Sequence, residues 1–157
     1  MGYGGDYLTA TIKLKSKSFL NVIFISQNAV RISNEVSISF LIFEYEYINS
    51  AQFNLSINLR DFFDKIFTGK RILTSNNSFD KKFTINSSNK FLAIKLFRDD
   101  KIQNFFINNS FLVFNILTTN GVTKISMKYM ERDKLYTDAE LTEALENFKY
   151  ILSKLFN

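Results

Sequence analysis

The chain has 157 residues, enough for one domain with a self-sufficient hydrophobic core. Its 20 Lys+Arg exceed its 15 Asp+Glu by five, and His, Cys, Trp and Pro are all absent. Those absences exclude Ser-His-Asp and Cys-His nucleophiles, thiolate or imidazole zinc sites, and a disulfide framework, and leave any metal an all-oxygen site. A mildly basic, unstapled domain with so small a catalytic vocabulary reads first as a binder, and the lack of Cys fits a reducing compartment.

Phe is the unusual excess, at 18 residues. AT-biased codon usage accounts for part of it, since Ile, Asn and Lys are abundant as well. No apolar run approaches the roughly 18 residues of a membrane span, so no membrane segment is expected. The opening Met1-Gly2-Tyr3-Gly4-Gly5-Asp6 reads as neither a secretory signal nor an Arg-rich transit peptide.

Taken in chain order, period-2 patterning dominates. From Tyr7 to Lys17 the alternation is clean, with Leu8, Ala10, Ile12 and Leu14 on one face and Tyr7, Thr9, Thr11, Lys13, Lys15 and Lys17 on the other. Strand-like segments follow around Leu20–Ser26, Ala29–Ser33 and Val36–Ile48. Phe53-Asn54-Leu55-Ser56 then leads into Leu59, Phe62, Phe63, Ile66 and Phe67, whose spacing predicts a short amphipathic helix. Ser56 or Asn58 supplies its cap, Asp61 suits its first turn and Gly69 its stop. Further strand candidates are Arg71–Ser75, Lys82–Ser87, Phe91–Phe97, Ile102–Asn108, Phe111–Thr118 and Val122–Met130, not all of them necessarily separate. Turn-like breaks part them at Asn76-Asn77, Ser87-Ser88-Asn89, Asp99-Asp100 and Asn120-Gly121, the last being a strong hairpin signal. At the C-terminal end Thr137-Asp138-Ala139-Glu140 forms a capping box, with Tyr136 and Leu141 placed for a hydrophobic staple. Leu141, Ala144, Leu145, Phe148, Ile151, Leu152 and Leu155 continue as one apolar helical face. The order strands, helix, strands, helix predicts an α+β fold in which one motif is used twice.

Three stretches give this order a family likeness. Lys15-Ser16-Lys17-Ser18-Phe19-Leu20-Asn21-Val22 resembles the Lys-Gly-Lys-Ala-Ala-Leu signature of the Whirly family of single-stranded nucleic-acid-binding proteins, keeping both Lys and the Leu. Phe53-Asn54-Leu55-Ser56 and the apolar stretch after it are similar to the start of that family's first helix. Thr137 through Leu155 is similar to its last helix. The family's Trp and Pro residues are missing here, so the likeness is that of a remote relative, related in topology to PUR-type domains. The resemblance implies a single domain over 1–157 with two ββββα repeats, about 7–69 and about 70–157, forming antiparallel sheets packed on helices. It also implies single-stranded DNA as partner, a homotetramer, and an organelle such as a mitochondrion or plastid as location.

A single-strand binder needs cations to track phosphates and flat rings on which bases stack. Lys13, Lys15 and Lys17 repeat about every 7 Å along one strand face, close to the phosphate spacing of an extended strand. Thr9 and Thr11 can bond phosphate oxygens, and Tyr7 can stack. A solvated face, or an edge strand guarded by its lysines, explains the same pattern. Lys124 and Lys128 share a strand face with Ser126, opposite Met127 and Tyr129, and are expected as secondary phosphate contacts, though an ordinary solvated face explains them nearly as well. Phe43, Tyr45 and Tyr47 alternate with Glu44 and Glu46, and two fates stand open for them, stacking or core. Asp61 with Asp64, Asp99-Asp100 and Glu131-Arg132-Asp133 have the spacing of neither a calcium loop nor a nuclease, so no catalytic residue, metal or cofactor is expected. The expected function is largely sequence-independent binding of single-stranded DNA. The alternatives are an organellar guide-RNA or mRNA binder on the same fold, and a protein-interaction module using sheet aromatics such as Phe43 and Tyr45.

Overall fold

The computed structural model of the protein describes residues 7–12, 23–31, 37–48, 52–60, 72–109, 112–132 and 136–156. Four strands come first: β1 (Tyr7–Ile12), β2 (Ile23–Arg31), β3 (Ser37–Ile48) and β4 (Leu55–Leu59). Then follow α1 (Asn77–Lys82), β5 (Phe83–Ser87), α2 (Lys90–Phe97), α3 (Asp100–Asn108), β6 (Leu112–Thr119), β7 (Val122–Arg132) and α4 (Asp138–Phe156). The seven described strands form one antiparallel sheet in the order β1-β2-β3-β7-β6-β4-β5. The fold is α+β, as the sequence predicts. Its second half is not a ββββα unit but runs α-β-α-α-β-β-α, and one continuous sheet stands where two repeats are expected.

The departures have a common physical cause. Phe91–Phe97 and Ile102–Asn108, expected as strands for their Phe and Ile content, are the helices α2 and α3. Three of the polar breaks read as turns are helix N-caps. The Asn76 side chain accepts from the Ser78 and Phe79 N–H groups, Asn89 from Leu92, and Asp99 from Lys101 and Ile102. Asn and Asp serve turns and caps by the same bond to backbone two or three residues on, so the residue type alone does not separate them. What decides is that Ala93, Leu96 and Phe97, like Ile102 and Phe106, bury at helical spacing. Residues 72–74, within the expected Arg71–Ser75 strand, are irregular, and the Thr74 N–H is held by the Asp80 carboxylate at 3.0 and 3.1 Å. Leu55–Leu59, expected to lead into a helix, is β4 instead, burying Leu55 and Ile57 by alternation. The rest of the predicted first helix, from Phe62 to Gly69, lies outside the described residues.

Every described helix packs on the same side of the sheet. Leu41 and Phe43 of β3, Leu55 and Ile57 of β4, Phe114 and Ile116 of β6, and Ile125 and Met127 of β7 meet Phe79, Phe97, Phe106, Phe148 and Ile151 of the helices. Much of the Phe excess is therefore core: Phe43, Phe79, Phe83, Phe97, Phe106, Phe114 and Phe148 are essentially fully buried. Two local signals act as expected. Asn120 and Gly121 both take positive φ, 52° and 76°, the geometry of the type I′ turn that joins β6 to β7. The capping box forms, with the Thr137 N–H donating to Glu140 Oε2 at 2.8 Å and the Glu140 N–H to Thr137 Oγ1 at 3.3 Å. Tyr136 and Leu141, the predicted staple, are both half-buried against the core. A buried pair, Thr118 Oγ1 and Thr123 Oγ1 at 2.8 Å, closes the hairpin, and Thr118 Oγ1 also bonds the Phe53 backbone, fixing the start of β4 beside β6.

Candidate nucleic-acid interface

The described helices all lie on one side, and the opposite face of the sheet carries none of them. Strand alternation sends Thr123, Ile125, Met127 and Tyr129 of β7 to the core and Lys124, Ser126 and Lys128 to the opposite face. The register extends this face across the sheet, because residues paired across an antiparallel ladder share a face. Glu44 pairs with Ser126, Ser126 with Asn115, Asn115 with Ser56, and Ser56 with Asn86. This polar row crosses five strands, a span of about 19 Å at about 4.8 Å per strand. Its outer part lines an open groove of about 880 Å³, together with Asn54, Lys90, Leu117 and Lys124.

The β1 positions join the same side. Tyr7, Thr9 and Thr11 pair with Asn28, Ser26 and Phe24, and these pair with Phe40, Ile42 and Glu44. Ile42 pairs in turn with Lys128. The structure thus brings the positions of Tyr7, Thr9 and Thr11 onto the face of Lys124 and Lys128, about 14 Å away across three strand spacings. The remaining expected contacts, Lys13, Lys15 and Lys17, lie outside the described residues, as do Asp61 and Asp64.

Neither β7 lysine is a bare cation. Lys124 Nζ lies 2.8 Å from Glu44 Oε1 and 3.8 Å from Glu46 Oε1. The hydrogen bond to Glu44 chiefly raises its ammonium pKa, against the opposing effect of burial. Lys128 Nζ sits 4.1 Å from the centroid of the Phe40 ring, a cation–π contact that leaves its hydrogen-bond donors for other partners. Phe43, Tyr45 and Tyr47 resolve to the core side. Phe43 is fully buried, and Tyr45 and Tyr47 pack against the Phe156 ring at 5.7 and 4.9 Å. Phe43 therefore stacks no base and meets no protein partner. Asp99 is a helix cap that also accepts from the Tyr150 hydroxyl and Lys154 Nζ, each at 2.9 Å. Among the described residues, no three carboxylates gather as a metal-ligand set, and no helix is long and apolar enough to cross a membrane.

Sequence reasoning missed the Ser56, Asn86 and Asn115 row. Each is an outward position of its strand, and for Asn115 the alternation of Leu112, Phe114 and Ile116 already signals it. Their alignment depends on β4 lying between β6 and β5, which no local pattern encodes. Compared with family models, with curated proteins and with solved structures, the chain matches none.

Proposed function

We propose that this protein binds single-stranded nucleic acid, DNA in the first instance, across the face of its sheet opposite the described helices, as a remote Whirly-like protein. One observation carries this reading: the register gathers Tyr7, Thr9, Thr11, Lys124 and Lys128 onto that face beside a row of hydroxyls and amides. Lys128 and the lysines following β1 hold phosphates, and the Asn and Ser row hydrogen-bonds sugars and base edges in the groove. Lys124 contributes only by exchanging Glu44 for a phosphate, so its share is smaller than its charge implies. The amide and hydroxyl row also suits a ribose 2′-OH, which favours RNA as the second reading. A homotetramer, which the resemblance implies, would use surfaces other than the apolar α4 stripe, since Phe148 and Leu152 are buried within the chain.

Fluorescence anisotropy with matched single-stranded DNA, single-stranded RNA and duplex probes tests the proposal. Single-strand affinity is expected to fall with salt, with a log–log slope of about −0.7 per neutralised phosphate. Lys128→Glu combined with Lys13→Glu, Lys15→Glu and Lys17→Glu is expected to abolish binding. Full binding by that variant, or no binding of any single strand at low salt, overturns it.

A further inference from the structure

The sheet face opposite the described helices is polar along its central row but carries an aliphatic patch at one end. Ile48 closes β3 at 90% exposure, Val122 opens β7 at 41%, and Leu117 stands on β6 at 56%. The register makes them neighbours. Ile48 pairs with Val122 and Val122 with Thr119, so Leu117 lies diagonally across the same ladder, within reach of a long side chain. All three share the side of Lys124, which pairs with Glu46 on one strand and Leu117 on the other. Single exposed apolar residues are ordinary, whereas a contiguous group with a polar rim marks a contact surface.

The surroundings of the patch select its occupant. Leu117 and Lys124 also line the open groove, so the patch continues the surface over which a bound strand would run. Beside it, Lys124 Nζ lies 2.8 Å from Glu44 Oε1 and 3.8 Å from Glu46 Oε1. Two carboxylates overbalance one ammonium, so this end of the face repels phosphate and suits an uncharged group. In a nucleic-acid strand that group is the base. Phe43, Tyr45 and Tyr47 pack on the core side, so aliphatic side chains rather than those rings meet it here. The apolar feature of a base edge is the C5-methyl group of thymine.

We propose that Ile48, Leu117 and Val122 seat the C5-methyl of thymine, so that the protein prefers thymine-bearing single strands. This assignment rests on the single-strand reading and adds a base preference to it. Burying one methyl group is worth about fourfold in affinity, so each seated thymine gains about that factor over uracil.

The test is fluorescence anisotropy of the full chain with oligo(dT) and oligo(dU) of equal length, which differ only in that methyl. Oligo(dT) is expected to bind at least about fourfold more tightly. The double variant Ile48→Gln, Leu117→Gln alters two exposed positions and is expected to bring the two affinities together while still binding oligo(dU). Equal affinities in the wild type, or a preference kept by the double variant, overturn the thymine seat and leave single-strand binding standing. Binding of neither oligomer at low salt overturns both. Sedimentation equilibrium without nucleic acid supplies the remaining arm: if the double variant turns an oligomer into a monomer, the patch is a contact between copies of the chain and the assignment falls.

Discussion

Replacing Phe106 by alanine removes a ring set at the meeting point of four other elements. Its neighbours are Phe79 of α1 at 6.4 Å, Phe83 of β5 at 6.0 Å, Phe97 of α2 at 5.6 Å and Phe114 of β6 at 6.1 Å, all near edge-on. The ring is fully buried. Phe-to-Ala truncation in a core costs about 3–5 kcal/mol, combining lost transfer energy with the cavity left behind. The upper half of that range is expected, because the neighbouring rings are anchored on separate elements and cannot close the hole together. Against a typical stability of about 5–15 kcal/mol the loss is severe. At about 2–4 °C per kcal/mol it lowers Tm by about 8–20 °C. Urea denaturation followed by circular dichroism measures it as a fall in midpoint at constant m. Phe91, 75% exposed on α2, is the internal control, and its alanine variant should stay within about 0.5 kcal/mol of wild type. If Phe106→Ala loses under about 1 kcal/mol, or no more than Phe91→Ala, the aromatic cluster is not what holds the helices to the sheet.

Four further outcomes follow. Glu44→Gln releases Lys124 from its 2.8 Å partner and should strengthen single-strand binding while steepening the salt slope by about 0.7; an unchanged slope shows that Lys124 touches no phosphate. Gly121→Ala forces a Cβ into φ 76° and should cost about 1 kcal/mol, read from denaturant midpoints, with a null effect excluding the type I′ geometry. Burial first, then the charges of Tyr136, Glu143 and Glu131, push the Tyr129 hydroxyl above its ordinary value of 10.0. That contribution is complete below pH 10 and is lost as pH rises, by about 1.4 kcal/mol per pH unit, and Tyr129→Phe should flatten the alkaline limb. Burial alone would raise the Asp99 pKa, but hydrogen bonds from Lys154, Tyr150 and the Ile102 N–H outweigh it and hold the carboxyl below 3.8. Its stabilisation is therefore present above that value and lost as pH falls below it, a loss that acid denaturation of Asp99→Asn should not show.

Legibility in the sequence tracked the range of the interaction concerned. The β6–β7 hairpin and the start of α4 were readable because Asn120-Gly121 and Thr137 to Glu140 complete their chemistry within four residues. The helices α2 and α3 were not, since Phe91, Ile94, Phe105 and Ile107 favour strands in isolation and only packing against the sheet selects the helix. Leu55 to Leu59 satisfies a period of two and also begins a period near 3.6, so it is ambiguous until its partners are known. For the candidate site, alternation alone placed Lys124, Ser126 and Lys128 together. The Glu44 and Glu46 contacts to Lys124 depend on β3 pairing with β7, a partner far away in the chain.

That same pairing bears on how the protein is made. The last of the described strands, β7, sits in the middle of the sheet, between β3 and β6. Until it emerges, the ladder from β1 through β3 has no link to β4, β5 and β6, and β3 presents an unpaired edge twelve residues long. Long-range closure of this kind is slow, and an open hydrophobic edge recruits other chains meanwhile. Nascent chains halted before residue 122 should therefore self-associate, and the sheet should close only after Val122–Arg132 has left the ribosome.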